Sequence, residues 1–185
     1  MIDISIIEEC AKLAPSAPVY PDPRFPPSIY YRFLGLLAQY TKPKMSVELG
    51  VCGGGAGLYL ARGNPEGMVY GFDVCNDYPD NIKHIQSVCS NYRFVILDSI
   101  TASTLTEISH VDILFIDTVH TYEQTMLEYH AWYSKLLSQS IIILDDLYRD
   151  GMVQAFNDIP GNKRRFDTLH IGGAPTDGGF GVIML

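Results

Sequence analysis

Val47-Glu48-Leu49-Gly50-Val51-Cys52-Gly53-Gly54-Gly55-Ala56-Gly57 is the stretch on which the reading of the fold turns. A short apolar run around one acid gives way to a cluster of glycines, the mark of a strand that turns sharply into a helix. Glycine lets the backbone turn and lets a ligand lie against it with no side chain between. Such a loop suits dinucleotides, nucleosides and phosphates alike. A phosphate loop would need Gly-Lys-Ser/Thr at its end, and no Lys occurs between Lys44 and Lys83. A dinucleotide fingerprint would need Gly-x-Gly-x-x-Gly, and counting from Gly50 its second glycine is Cys52. The carboxylate of Glu48 favours a ligand carrying an ammonium or sulfonium charge over one carrying pyrophosphate.

Working outward from this loop, short apolar runs alternate with segments of helical spacing. The strand candidates are Ser46–Leu49, Val69–Asp73, Arg93–Leu97, Val111–Asp117 and Ser140–Asp145. The clearest helix is Thr121–Leu137, where Met126, Tyr129, Tyr133, Leu136 and Leu137 recur at three and four residues. Another covers Ile29–Tyr40 and stops before Lys42-Pro43. Strand–helix alternation predicts a parallel sheet with helices on both faces. Arg165–Ile171 and Gly179–Leu185 have no helix between them and should pair as a hairpin. The expected architecture is therefore α/β: a doubly wound, Rossmann-like sheet of seven mostly parallel strands with an antiparallel last strand. Residues 1–28 form an N-terminal helix and a Pro-rich segment, and residues 29–185 form a single domain.

Ligands of such sheets sit beyond the carboxyl ends of the strands. Every parallel strand delivers an acid there: Glu48, Asp73, Asp98, Asp117 and the pair Asp145-Asp146. One acid at a strand end is ordinarily a helix cap or turn residue. Five at one rim point to a site. Asp73, 23 residues after Gly50, stands where an acid can accept both hydroxyls of a ribose.

Glu48-x-Gly50-x-x-x-Gly54 together with Asp73 resembles the class I S-adenosylmethionine-dependent methyltransferase family over residues 30 to 185. The resemblance implies that Glu48, Gly50 and Gly54 face the methionine part of S-adenosylmethionine and that Asp73 holds its ribose. It puts Asp98 and Ser99 near the adenine. Val51, Cys52, Val74 and Asp117 complete the implied cofactor pocket. Cys52 departs from the family, many of whose members have glycine there.

Asp117 and Asp145-Asp146 should end adjacent strands, so three carboxylates would converge and raise one another's pKa values. A divalent cation on Asp117, Asp145 and Asp146 removes that conflict, and hard oxygen ligands favour Mg²⁺ or Ca²⁺, with Mn²⁺ acceptable. The alternative is that Asp146 caps a helix while Asp145 faces solvent. An Asp ending the fourth strand, a basic residue three positions on and an acid pair ending the fifth resemble the metal-dependent O-methyltransferases, including those acting on catechols and sugars. The run Phe115-Ile116-Asp117-x-x-His120-x-Tyr122-Glu123, with Trp132 downstream, is similar to a bacterial group found among glycan and secondary-metabolite enzymes. Ser138-Gln139-Ser140 departs from the Gly-Gly usual before the fifth strand. His120 is the natural general base beside Asp117, since its pKa lies near working pH. The alternatives are a cap on the helix starting at Thr121 or a plain lining residue. Tyr20, Phe25, Tyr30 and Tyr31 form either a lid or ordinary packing. Tyr148 and Arg149 are candidates for acceptor contacts.

A formal charge of −8 argues against nucleic acid or an anionic membrane as partner. No apolar run reaches the roughly 18 residues that span a bilayer. The acidic start MIDISIIEEC does not read as a secretory signal, and Cys10, Cys52, Cys75 and Cys89 form no CxxC pair, so a cytoplasmic setting with reduced thiols is expected. The partner is a small-molecule substrate. The short N-terminal cover leaves the site either open or closed by a second copy in a homodimer. The rival readings are a metal-independent methyltransferase, a nicotinamide dehydrogenase lacking its Tyr-x-x-x-Lys pair, and a non-catalytic nucleoside-binding module.

Overall fold

The computed structural model describes residues 3–17, 24–25, 28–149, 151–166 and 178–185. Tyr20 lies outside them, as does the 167–171 part of the first hairpin strand.

In chain order the elements are α1 (Ile4–Leu13), α2 (Ile29–Thr41), β1 (Met45–Leu49), α3 (Gly55–Gly63), β2 (Met68–Asp73), α4 (Pro79–Val88), β3 (Tyr92–Ile96), α5 (Ser99–Ala102), β4 (Val111–Ile116), α6 (Tyr122–Trp132), β5 (Leu136–Leu144), α7 (Met152–Asp158), β6 (Asn162–Phe166) and β7 (Phe180–Met184). The strands form one sheet in the order β3-β2-β1-β4-β5-β7-β6. β1 to β5 run parallel, while β7 lies between β5 and β6 and runs against both. A chain that starts at β1, winds outward to β3 and then crosses back to β4 creates a switch point between β1 and β4, where a cleft opens at the carboxyl ends.

Strict alternation along the strands divides the core. Ile113, Phe115, Ile141 and Ile143 face the layer of α1 to α4. Val47, Leu49, Leu114, Ile116, Ile142 and Leu144 face α5, α6 and α7. Both faces are apolar, as central parallel strands covered on two sides require. α1 buries Ile7, Cys10 and Ala11 in the same cluster as α2.

The helix expected through Leu137 stops earlier. α6 ends at Trp132, one 3₁₀ turn spans Tyr133–Lys135, and Leu136 and Leu137 already belong to β5. Two local anchors explain this. The Lys135 ammonium donates to the carbonyls of Leu105 and Ile108. The Ser140 hydroxyl accepts from the Leu137 amide at 2.7 Å and donates to the Val111 carbonyl at 2.5 Å. Leu136 then pairs with Val111, and a register shift brings Ile141 opposite Ile113. The hairpin begins earlier than Arg165, since Asn162 already pairs with Met184.

Candidate active site

The chemistry gathers where the parallel strands end. Gly50, at φ +83°, lies so close to the end of β4 that a Cβ would sit 2.1 Å from the Asp117 carbonyl oxygen. Only glycine permits that approach. The amides of Val51 and Cys52 donate to Asp73 Oδ2 at 2.9 and 3.0 Å. The Cys75 amide and thiol make longer contacts to Oδ1, at 3.3 and 3.7 Å. Partial burial pushes the Asp73 pKa up, but the amides of Cys52, Val51 and Cys75 outweigh it and hold the carboxyl below its ordinary value. Asp73 thus ties the end of β2 to the glycine loop, with Oδ1 the less engaged oxygen.

A cavity of about 400 Å³ opens over this loop, within the range of small-molecule sites. Gly50, Cys52, Asp73, Val74, Asp98, Ser99 and Asp117 line it. Asp98 also caps α5, accepting from the amides of Ile100 and Thr101 at 3.2 and 2.9 Å. Three residues of the expected cofactor set are not on its wall. Val51 turns its side chain into the core and contributes its amide. Gly54 caps α3 from the left-handed region. Glu48 is 1% exposed, and burial together with the Asp117 charge raises its pKa well above the usual range, against the opposing pull of the Gly57 amide and the Tyr92 hydroxyl. Alternation explains its place: Val47 and Leu49 face the α6 side, so Glu48 points beneath the loop toward α3. Unforeseen in the sequence, Phe72, Ile100, Thr118, Val119 and Gln124 also line the cavity.

Next to this cavity, Asp117, His120 and Asp145 each offer one donor atom, all within 4.8 Å of one another. Backbone pairing sets the cluster: the Asp117 amide donates to Leu49 O at 2.8 Å and the Asp145 amide to Ile116 O at 3.1 Å. His120 Nε2 lies 3.1 Å from Asp117 Oδ1, and its Nδ1 lies 3.7 Å from Asp146 Oδ2. Asp146 adopts φ +49° and takes the Arg149 Nε at 3.2 Å. The acids expected from the sequence therefore do converge, with Asp146 reached through His120 rather than in the tightest group. Burial, then the charge of Asp117, pushes the Asp145 carboxyl up to about 8. Burial also raises Asp117, against the opposing bond from His120. The bond to Asp117 raises His120 in turn. Tyr30 packs its ring on Phe115 and Phe180. Its buried hydroxyl faces Asp145, and burial, then the charges of Asp145 and Asp117, raise its pKa well above the ordinary value. Two carboxyls and an imidazole meeting in this way are a donor set that fits a divalent cation.

A separate hollow of about 340 Å³, lined in part by Lys42, Lys44, His110 and Asp112, opens at the amino ends of the strands. Asp112 is already occupied there by the amides of Lys44 and Met45. Sheets of this kind do not bind their ligands at that edge.

The strand order, the glycine loop packed on β4 and the acid at the end of β2 define a class I S-adenosylmethionine-dependent methyltransferase. In sequence, residues 47–147 match the model of a family described as "Methyltransferase domain", and the chain belongs to that family. Solved structures of similar fold include cofactor-bound Rv0187 from MTB, with a TM-score of 0.70, 19% identity, and coverage of 98% of this chain and 88% of that one. An O-methyltransferase from Bacillus cereus in complex with S-adenosylhomocysteine gives 0.67 and 19%, covering 100% and 92%. The O-methyltransferase TomG from Streptomyces achromogenes, involved in tomaymycin synthesis and in complex with S-adenosylmethionine, gives 0.66 and 14%, covering 100% and 91%. No curated protein matches the sequence. Among the described residues no helix is long and apolar enough to cross a membrane.

Proposed function

We propose that this methyltransferase acts on a hydroxyl of a small acceptor, a sugar or secondary metabolite, with a divalent cation, Mg²⁺ by its ligand chemistry, held by Asp117, Asp145 and Asp146. The observation that carries the reading is the meeting of Asp117, Asp145 and His120 within 4.8 Å, directly beside the cavity over Gly50 and Asp73. S-adenosylmethionine supplies a methyl group on positively charged sulfur, open to in-line displacement. A bound cation would neutralise the carboxylates and acidify an acceptor hydroxyl.

The protein's own residues do the rest. The loop Gly50–Cys52, fastened by Asp73, fixes one wall of the donor pocket, and Asp73 Oδ1 keeps lone pairs for ribose hydroxyls. Asp117, at the cavity's edge, joins the donor pocket to the acid cluster. His120 accepts the hydroxyl proton, and Asp117 at 3.1 Å orients the imidazole and stabilises its charged form. Fixing both reactants at one rim removes much of the entropic barrier to a two-body reaction. Tyr148 and Arg149 flank the acid pair and are assigned to acceptor contacts.

A second, metal-independent reading rests on His120 itself. A protonated imidazole between Asp117 and Asp146 compensates part of the negative charge without an ion. The test combines calorimetric titration with S-adenosylhomocysteine and methyl-transfer assays on a hydroxyl panel, with EDTA and with restored Mg²⁺. Turnover indifferent to EDTA selects the metal-independent reading. A folded protein that binds no S-adenosylhomocysteine ends both.

A further inference from the structure

We propose that Glu128, acting through Gln124, sets the far end of the cavity to accept a 6-amino purine and to reject a 6-oxo purine. The inference rests on the adenosyl donor occupying that cavity.

Glu128 lies on α6 and is 0% exposed, where an unpaired carboxylate would be very costly. Its partners are three side chains of the cavity wall. The Ser99 hydroxyl donates to Oε1 at 2.6 Å. The Thr118 hydroxyl lies 2.9 Å from Oε1 and 3.0 Å from Oε2. The Gln124 side-chain nitrogen donates to Oε1 at 2.9 Å. The Trp132 indole N–H, bound to the Ser99 carbonyl at 2.9 Å, pins the backbone of that wall.

A hydrogen inventory gives the consequence. Burial raises the Glu128 pKa, and the bonds from Ser99, Gln124 and Thr118 oppose that rise by favouring the charged form; toward the carboxylate, which only accepts, each hydroxyl spends its one hydrogen. Gln124 must turn its NH₂ inward, and its second N–H faces Ser99 Oγ at 3.4 Å. Both of its hydrogens are then engaged, and Oε1 is the group left over. Ser99 and Thr118 likewise have only lone pairs to offer. Ile100 and Val119 supply apolar surface on the same wall. A base entering here meets apolar walls and an edge made of acceptors. The exocyclic amine of adenine satisfies that edge, whereas a 6-oxo base sets O6 against the same lone pairs and has only its N1–H to offer in return. Glu128 touches no ligand in this account. It is a positioning residue that fixes which way the Gln124 amide faces.

The experiment is calorimetric titration of the full chain with S-adenosylhomocysteine and with its 6-oxo counterpart, S-inosylhomocysteine. The wild type should prefer the 6-amino ligand by roughly 10- to 100-fold, the scale set by one mismatched buried hydrogen bond. In Glu128→Gln the new amide can donate to Gln124, which is then free to reverse, and the preference should fall to within about threefold. Gln124→Leu, at a half-buried position, removes the Oε1 acceptor and leaves those of Ser99 and Thr118, so the preference should shrink; an unchanged preference in that variant would overturn the inference even if Glu128→Gln does not fold. Equal binding of both ligands by the wild type overturns the inference. So does a Glu128→Gln protein that binds both ligands more weakly by one common factor, since a purely structural carboxylate would do that. If the folded wild type binds neither ligand, the adenosyl reading has failed and the inference falls with it, an outcome distinct from loss of selectivity alone.

Discussion

Replacing Asp145 by Asn should make the metal-free protein more stable and the enzyme inactive. Asp145 is pushed up to about 8 from an ordinary value of 3.8, so at pH 7 the folded protein holds a proton there that the unfolded chain has released. The sign follows from that difference. A carboxyl raised on folding lowers stability progressively as pH climbs from about 4 to about 8, and the penalty is constant above. Across the roughly three pH units up to neutrality, at about 1.4 kcal/mol per unit, the upper bound is about 4 kcal/mol. The side chain is only half-buried, and screening by solvent reduces the figure to about 2 kcal/mol. Asparagine matches the protonated acid in shape, and its NH₂ can donate to Asp117 as the carboxyl does. For a domain of this size the gain corresponds to a rise in Tm of roughly 4–8 °C at pH 7 to 8 in EDTA, vanishing near pH 4. Differential scanning calorimetry at several pH values reads it directly. Added Mg²⁺ should raise the Tm of the wild type and leave the variant unmoved, and methyl transfer should be lost while S-adenosylhomocysteine affinity stays. A variant less stable than the wild type in EDTA at pH 8, or one that keeps metal-dependent turnover, would refute the reasoning.

Three further outcomes are expected. Asp73→Asn should weaken S-adenosylhomocysteine binding by about 1–3 kcal/mol, because the amides of Val51 and Cys52 and the ribose all lose a charged acceptor; unchanged affinity by calorimetry would move the ribose elsewhere. Gly50→Ala should destabilise the fold by more than about 2 kcal/mol, since its Cβ would meet the Asp117 backbone 2.1 Å away at φ +83°, and a denaturation midpoint equal to wild type would contradict this. Mg²⁺ binding should release protons at pH 7, because the Asp145 carboxyl must ionise to coordinate. Titrations in buffers of different ionisation enthalpy measure that release, and affinity independent of pH between 6 and 8 would count against Asp145 as a ligand.

The order of elements was legible because buried parallel strands are continuous apolar runs: Ile113–Ile116 and Ile141–Leu144 cannot be anything exposed. The convergence of Asp117 with Asp145 followed from adjacent strand ends. The start of β5 was not legible. Leu136 and Leu137 continue a helical spacing, and the contacts that end the helix, from Ser140 to Val111 and from Lys135 to Leu105 and Ile108, come from 27 to 30 residues away. Glu48 shows the opposite limit. Its position in the motif suggested the cavity, while strand alternation, visible in the same sequence, turns it under the loop. Glu128 gave a weak signal, an acid among Thr125, Tyr129 and Trp132 on the inward face of α6. Its meaning depends on Ser99, 29 residues distant. Tyr30 was read as lid or packing. Its ring packs, and its hydroxyl faces the acids.

The contact between Gly50 and the Asp117 carbonyl has a consequence for what the enzyme can be made to methylate. The segment of Asp117, Thr118 and Val119 lines the cavity and also carries the first acid of the cluster with His120 and Asp145, so the spacing between cavity and acid cluster is built into the main chain. Side-chain substitutions cannot lengthen it. A change in acceptor size would therefore have to be taken up at the periphery, while this fixed gauge stays the same.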